Sequence, residues 1–180
     1  MKEVQDYILT YSRIRFTPMA PDAAEIKLVD IAHALSLLCR ANGHFSRFFS
    51  VGQHCINCEA EARARGYSKK LRLACLLHDA SEAYISDITR PVKKNLLEYT
   101  AIENKLQTAI WRAFNVNLTQ DDLALVYEVD DAMLYAEFEA LMGERMFPEP
   151  PAVLSAPDFS ERDFKGVEQE FVMGCMALMG

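Results

Sequence analysis

The chain has 180 residues, of which 51% are hydrophobic, with only seven glycines and seven prolines; this length and composition suit one folded domain with a sizeable core. Its 26 acidic and 19 basic residues give a net charge of −7, which disfavours broad binding to nucleic acid or to an anionic membrane. No secretory signal pattern and no apolar run of membrane-spanning length occurs, and the odd number of cysteines, five, is typical of a reducing compartment. We therefore expect a cytoplasmic protein.

The N-terminal third of the chain predicts an arm followed by two helices. Residues 1–29 show no sustained helical period, so we expect an irregular arm with at most one short helix. From Asp30 a stripe of apolar residues with helical spacing begins. Ser50 and Gln53 have the spacing of a capping box, which opens a second helix that Gly66 ends.

The remainder of the chain predicts four further helices and one proline-rich loop. The helices are expected from about Ser68 to Ile85, from Thr89 to Phe114, from Gln120 to Met142 and from Ser160 to Leu178, and the loop from Phe147 to Pro157. The helix over 89–114 has an apolar stripe that includes Val92, Leu96, Leu106 and Ile110. Thr119 and Asp122 have the spacing of a cap for the next helix, and Gly143 ends it. No segment alternates convincingly between apolar and polar residues with period two. The pattern predicts an all-α fold.

The most informative segment carries polar side chains directly after an apolar run. Residues 73–77 are apolar, and His78 and Asp79 follow without a turn residue. Burying an imidazole and a carboxylate is costly unless another group compensates them. Divalent metal ions bind both types of ligand, so a metal site is one explanation.

Two more candidate ligands lie elsewhere in the chain. His54 stands in the first turn of the second predicted helix, and Asp130 falls on the apolar stripe of the fifth. With His78 and Asp79 they make a set of two nitrogens and two oxygens, suited to Mn²⁺, Co²⁺, Fe²⁺, Zn²⁺ or Mg²⁺. The alternative is that His54 caps its helix, His78 is hydrogen-bonded in the core and the aspartates are exposed.

Two carboxylates follow the His-Asp pair. Glu82 comes four residues after His78, which would place both on one helix face. Beside a metal-bound water, Glu82 or Asp87 could take or give a proton. Alternatively, Asp87 caps the following turn.

Cys55 and Cys58 form a Cys-x-x-Cys pair beside His54. Such a pair can belong to a zinc knuckle or a redox site. No second pair occurs in the chain, and the motif lies within a predicted helix. We therefore do not favour a cysteine-based site.

Basic and aromatic residues are candidates for binding an anionic substrate. The segment RANGHFSRFF (40–49) contains Arg40, Arg47 and three phenylalanines; it is either a loop that covers the core or the wall of a pocket for a phosphate and an aromatic base. Phe45, Phe48 and Phe49 are candidates to stack on that base. Arg90, Lys93 and Lys94 are either solvated or steer an anion towards the site.

The ordered set His…His-Asp…Asp on successive helices resembles the HD-domain phosphohydrolase superfamily, and in particular its branch of bacterial 5′-deoxynucleotidases and phage-type HD hydrolases. The resemblance covers about residues 30–142, through the segments DIAHALSLLCRANGHFSRFFSVGQH, LLHDASEAYISDITRPVK, YTAIE and VDDAMLYAE. It implies one HD domain of helices, with residues 1–29 as an arm and 143–180 as a C-terminal loop and helix. The Trp that follows the substrate arginine in that branch is absent; Ala41 stands there.

The resemblance also implies roles for individual residues. By position, the metal ligands would be His54, His78, Asp79 and Asp130, with Asp131 as a competitor for the last place. Glu82 and Asp87 match residues implicated in catalysis, and Arg40 matches an arginine near the substrate phosphate. Arg40, Arg47 or Lys93 would offset the phosphate charge.

The implied activity is metal-dependent release of phosphate from 5′-deoxynucleotides. The substrate is either a monophosphate or, as in the dATP phosphohydrolases of the phage branch, a triphosphate. The resemblance also implies at least a dimer. One alternative is a cyclic nucleotide or dinucleotide phosphodiesterase, and another is a non-catalytic HD-like metal-binding module.

Overall fold

The computed structural model describes residues 6–146 and 148–180; the first five residues of the predicted arm and Phe147 of the predicted loop lie outside it. The described residues form eight α-helices and a single pair of very short strands, so the all-α prediction is confirmed. In chain order the elements are β1 (Ile8–Leu9), β2 (Arg15–Phe16), α1 (Leu28–Leu37), α2 (Val51–Ala64), α3 (Lys69–Leu76), α4 (Glu82–Ile85), α5 (Arg90–Lys93), α6 (Leu97–Ala113), α7 (Gln120–Met142) and α8 (Phe164–Met179).

The described part of the arm is more regular than the sequence indicated. β1 and β2 pair antiparallel, with Ile8 opposite Phe16, and a 3₁₀ turn follows at Ala23–Glu25. Two-residue strands are too short to show an alternation of apolar and polar residues, so the sequence pattern does not predict them. The backbone N–H and the hydroxyl of Ser12 both donate to the buried carboxylate of Asp30 at 2.6 and 2.7 Å, and these bonds hold the arm against α1.

The core lies where α8 packs against α1, α2 and α3, while α7 crosses α2 and α3. Leu35, Cys55, Leu76 and Phe171 are among its fully or almost fully buried side chains. Burying a side chain of this size stabilises the fold by about 1.5–3 kcal/mol. This core holds α2, α3 and α7 in fixed positions, and the candidate site lies on these elements.

The ends of α2 and α7 follow the predicted capping pattern. The Ser50 hydroxyl accepts the N–H of Gln53, but the Gln53 side chain does not complete the capping box, because it donates instead to the carbonyls of residues 158 and 160. At α7 both halves form between Thr119 and Asp122. Gly143, with φ +73°, ends that helix in the left-handed conformation glycine adopts without strain.

The predicted helix over 68–85 is wrong in one respect, because it is broken between α3 and α4. In a continuous helix the N–H of Ser81 would donate to the carbonyl of Leu77. The side-chain amide of Gln107, on α6, lies between them instead: it accepts from Ser81 N–H at 3.0 Å and donates to the Leu77 carbonyl at 2.7 Å. His78 and Asp79 lie in the resulting turn, so His78 and Glu82 do not share one helix face.

The predicted helix over 89–114 is also divided, with α5 and α6 separated at residues 94–96. Val92 and Leu96, expected on the buried stripe, are 52% and 40% exposed. Their apolar spacing predicted burial, but the described residues do not cover this segment, so the stripe gains no packing energy there. Only the later part of the stripe, at Leu106 and Ile110, enters the core.

Among the described residues, every helix is too short or too polar to cross a membrane. All five cysteines are free thiols. The cytoplasmic location and the oligomeric state stay predictions.

Candidate metal centre

The structure brings the four predicted ligands together at one point. His54 comes from the first turn of α2, His78 and Asp79 from the turn after α3, and Asp130 from α7. The two Nε2 atoms are 3.2 Å apart. Asp130 Oδ1 lies 3.2 Å from His54 Nε2 and 3.6 Å from His78 Nε2, and Asp79 Oδ2 lies 3.6 and 3.2 Å from the same two atoms.

These distances fit a cation bound at the centre of the set. Ligand atoms placed tetrahedrally around an ion at bond lengths of about 2.0–2.2 Å lie roughly 3.3–3.6 Å from one another. The five measured separations span 3.2–3.6 Å. The residues present therefore match the size of one divalent ion, with little movement required.

The hydrogen bonds of the two imidazoles also fit a cation. His78 Nδ1 lies 2.7 Å from the Cys75 carbonyl, which can only accept, so this nitrogen carries the proton. His54 Nδ1 lies 2.5 Å from the Glu137 carboxylate and donates to it in the same way. In the neutral rings each Nε2 then presents a lone pair, and two lone pairs beside two carboxylates repel one another unless a metal ion or protons lie between them.

Of the alternative considered from the sequence, only the hydrogen bond of a largely buried His78 side chain is observed among the described residues. His54 is completely buried and faces the cluster instead of capping α2, whose cap is Ser50. Asp79 and Asp130 are largely buried, with side-chain exposures of 20% and 15%. The two aspartates are therefore not surface residues.

Protonation of this cluster follows from its packing. Burial by itself lowers the pKa of His78, but Asp79 and Asp130 outweigh burial and raise that pKa well above its ordinary value. Burial raises the pKa of Asp130, but the hydrogen bonds and charges of His54 and His78 lower it far more. Protons and a metal ion would therefore compete for the same place.

Glu137 is a functional candidate that the sequence reasoning did not select. It is completely buried on α7 and joins His54 to Arg40, whose Nε lies 2.7 Å from Glu137 Oε2. Burial raises the pKa of Glu137, but Arg40 and His54 lower it below its ordinary value. A signal was present, because Glu137 follows Asp130 by seven residues, two helical turns, and so shares its face.

The cysteines of the Cys-x-x-Cys pair lie beside the histidines. Cys58 Sγ is 3.5 Å from His54 Nε2, and the His54–Cys58–His78 and Cys55–His78–Asp79 groups could each hold a metal ion. Burial raises the pKa of Cys55 to about 11 and that of Cys58 well above its ordinary value. Since the thiolate is the form that binds metals, the carboxylates are the better partners for the two histidines.

A cleft of about 570 Å³ opens at this cluster, within the size range of small-molecule sites. One end is polar and is lined by Arg40, Asp79, Glu82, Asp87, Arg90, Lys93 and Asp130. The other end is apolar and is lined by Phe45, Leu134, Phe138, Met142 and Met146. The cleft therefore combines a charged end at the candidate ligands with a hydrophobic end.

Glu82 has the properties of a proton donor. It is 4% exposed, and its Oε2 has no hydrogen-bond partner among the described residues. Burial and the charges of Asp79 and Asp87 raise its pKa well above the ordinary value. Burial, together with the charge of Asp79, likewise raises the pKa of Asp87.

Of the three predicted phosphate-binding residues, two line the cleft. Arg40 is buried and lies 3.5 Å from Asp79 and 3.7 Å from Asp130, while Lys93 Nζ is 2.6 Å from Glu103. Arg47 is exposed and is not among the residues lining the cleft. Its role in phosphate binding stays a prediction that the cleft lining does not support.

Arg90 lines the cleft although it was not among the selected site residues. It contacts Asp130 Oδ2 at 2.7 Å and Asp131 Oδ1 at 2.5 Å. Asp130 turns its other oxygen to the histidines, while Asp131 is 43% exposed. The geometry therefore places Asp130, not Asp131, at the cluster.

The predicted stacking residues have different environments. Phe45 lines the cleft and meets Phe138 edge-on, with ring centroids 5.4 Å apart. Phe49 is completely buried, and Phe48 is 36% exposed. Only Phe45 of the three is in position to contact a ligand in the cleft, and Phe138 is an additional one.

Comparison with known proteins gives two relatives. Uncharacterized protein YfdR of Escherichia coli K12 is 36% identical over 104 residues, which cover 58% of this chain and 56% of YfdR. Uncharacterized protein RCAP_rcc00048 of Rhodobacter capsulatus is 30% identical over 156 residues, 78% of each chain. This chain belongs to the family of RCAP_rcc00048. The chain matches only about half the length of YfdR, and no family model matches it.

Proposed function

We propose that this protein is a divalent-metal-dependent phosphohydrolase of the HD type that releases phosphate from 5′-deoxynucleotides. The observation that carries the proposal is the convergence of four candidate ligand atoms from three parts of the chain, with five of their pairwise separations at 3.2–3.6 Å, at the charged end of a cleft. A buried carboxyl group with a raised pKa and three cationic side chains lie at the same end.

His54, His78, Asp79 and Asp130 would hold the divalent cation, which would supply Lewis acidity to a phosphoryl oxygen and lower the pKa of nearby water. Arg40 and Lys93 offset negative charge on the phosphoryl group as it develops. The raised pKa of Glu82 favours its protonated form, which can donate a proton to the departing 5′-oxygen as water attacks phosphorus. Asp87 lies beside it and orients the substrate or assists the proton transfer.

The apolar end of the cleft suits the base of a nucleotide. Phe45 and Phe138 present aromatic edges and Met142 an adaptable apolar surface. A phosphate at the metal and a base at this end would use both halves of the cleft at once. This two-ended character favours a nucleotide over a phosphate ester without an apolar group.

The test is phosphate release from all deoxynucleoside and nucleoside monophosphates and from deoxynucleoside triphosphates, with Co²⁺, Mn²⁺ or Mg²⁺ added. Wild type is compared with Glu82→Ala and with Glu139→Ala, a control glutamate on α7 that is 46% exposed. We expect release by wild type and by the control, and a loss of about 10²–10⁴-fold in Glu82→Ala. Release from monophosphates identifies a 5′-deoxynucleotidase, and release from dATP alone identifies a triphosphate hydrolase.

Absence of release from every nucleotide, with every metal, would refute this assignment. Cyclic nucleotides and dinucleotides would then be assayed, since a phosphodiesterase is the alternative chemistry for such a site. A protein that binds the metal but turns over none of these substrates would be a metal-binding module.

A further inference from the structure

The turn that carries two of the candidate ligands is held from outside its own helix. In the gap between α3 and α4, the Leu77 carbonyl and the Ser81 N–H do not bond to each other; the amide of Gln107 bonds both, at 2.7 and 3.0 Å. A side chain inserted into the hydrogen-bond ladder of a helix breaks or bends it at that place. The two residues bracket His78 and Asp79.

Gln107 is otherwise out of place in the interior. It is 6% exposed on α6, beside the fully buried Leu106. A buried amide costs free energy unless its donor and acceptor are both bonded, and an apolar residue would fill the same space without that requirement. Among the described residues, the Gln107 amide meets the requirement through the backbone of the ligand-bearing turn.

A continuous helix would not present the two ligands in the observed way. Adjacent residues on a helix point about 100° apart, whereas His78 Nε2 and Asp79 Oδ2 are 3.2 Å apart. The turn allows both side chains to face His54 and Asp130. The break in the helix is therefore what brings the side chains of His78 and Asp79 together.

We propose that Gln107 is a positioning residue for the metal centre, acting through the backbone on His78 and Asp79. This inference rests on the proposed function, because it requires that the centre binds a metal ion. Gln107 does not touch the ligand atoms. Its amide separates the Leu77 carbonyl from the Ser81 N–H. Without that amide the two backbone groups can bond to each other as in a continuous helix, and the His78 and Asp79 side chains would then point in different directions.

The test is the affinity for Co²⁺ of wild type and Gln107→Met, measured by calorimetry and by the visible absorption of the bound ion, which reports its ligand geometry. Methionine has a similar length and no hydrogen-bonding amide. We expect affinity to fall by about tenfold or more, the lower end of the effect of residues that support metal ligands. The absorption spectrum of the remaining complex should also change.

The matched control is Asn57→Leu. Asn57 is 4% exposed, and its amide bonds both the carbonyl and the N–H of Asp158, at 3.0 and 3.1 Å. It thus clamps backbone in the same way, but in a segment without a ligand. Both variants should melt at a lower temperature than wild type, while only Gln107→Met should lose Co²⁺ affinity.

Two results would overturn the inference: wild-type affinity and spectrum in Gln107→Met, or equal losses of affinity in both variants. If Gln107→Met does not fold, Gln107→Glu, which keeps the oxygen that accepts from Ser81, takes its place with the same criteria. Failure of wild type to bind Co²⁺, Mn²⁺ or Mg²⁺ is a separate result, and it would refute the proposed metal centre itself.

Discussion

At the scale of single residues, the hydrogen bond at Nδ1 of each imidazole determines whether its Nε2 can bind a metal ion. Glu137 and the Cys75 carbonyl accept from the Nδ1 atoms of His54 and His78. In the neutral rings the lone pair of each Nε2 therefore points into the cluster. Outer contacts of this kind fix the tautomer and orientation of metal-binding histidines. Glu137 and the Cys75 carbonyl therefore belong to the candidate metal centre, because they orient its two histidines.

Asp130 and Asp131 differ in their expected effects although they are neighbours. Asp130→Asn removes a charged oxygen that lies 3.2 Å from His54 Nε2, and we expect metal affinity to fall at least about 100-fold. Asp131→Asn removes only an exposed partner of Arg90, and we expect wild-type metal content. Metal analysis of both purified variants checks this. Normal content in Asp130→Asn would exclude it as a ligand.

The pH dependence of turnover should report Glu82. Because its pKa is raised, the proton-donating form persists above the ordinary range, and kcat should decline as pH rises through the shifted pKa. Glu82→Gln cannot donate in this way, so its residual kcat should be lower throughout and lack that decline. The measurement is kcat against pH at saturating metal. An unchanged profile in Glu82→Gln would assign the decline to another group.

At the scale of elements, α2 serves two purposes at different points along its length. His54 faces the cluster, while Glu61, further along the helix, accepts from the N–H of Leu154 and from the N–H and hydroxyl of Ser155. Arg65 also donates to Glu61 at 2.8 Å. These bonds attach the extended segment before α8 to the helix that carries a ligand.

Glu61→Gln should destabilise the protein in a pH-dependent way. Burial raises the pKa of Glu61, but hydrogen bonds from Arg65, Ser155 and Leu154 lower it overall. The carboxylate therefore contributes stability above the ordinary glutamate pKa of about 4.3, and that contribution is lost as pH falls through the lower native value. We expect a loss of about 1–3 kcal/mol at neutral pH, shrinking in acid.

Urea unfolding at neutral and acid pH measures this loss. The control is Glu139→Gln, whose partner Arg145 is exposed; a surface ion pair of that kind contributes about 0–1 kcal/mol. A loss in Glu61→Gln that is the same at every pH, or no larger than in the control, would contradict the clamp.

The sequence predicted those elements whose signals are local. The caps at Ser50 and Thr119 and the stop at Gly143 depend on residues within one turn, and they are confirmed. The break after α3 involves Gln107, which lies thirty residues away from Leu77. The spacing of apolar residues within one helix cannot predict a contact at that distance in sequence. The motif predicted four candidate ligands, and the spacing of Glu137 from Asp130 places both on one face of α7. That Glu137 joins His54 to Arg40 follows only from the packing of α7 beside these residues.

At the scale of the whole molecule, the proposed metal centre would link metal binding to folding. A metal ion that joined α2, the α3–α4 turn and α7 would stabilise the folded state, by about 2.7 kcal/mol when its concentration is 100 times the dissociation constant. Protons occupy the same place in its absence. Burial lowers the pKa of His78, but Asp79 and Asp130 raise it overall, and metal ligation requires the neutral ring.

The increase in melting temperature caused by a metal ion should therefore grow with pH. Without metal, the raised pKa of His78 stabilises the protein below the ordinary imidazole pKa of about 6.5, and this contribution is lost as pH rises through the shifted value. With Mn²⁺, competition between protons and the metal ion for His78 ends over the same pH interval. The melting temperatures with Mn²⁺ and with a chelator should therefore differ more as pH increases. Thermal melting with Mn²⁺ or a chelator, from mildly acid to mildly alkaline pH, measures the separation. His78→Ala should abolish it, whereas an equal separation at every pH would show that the ion binds elsewhere.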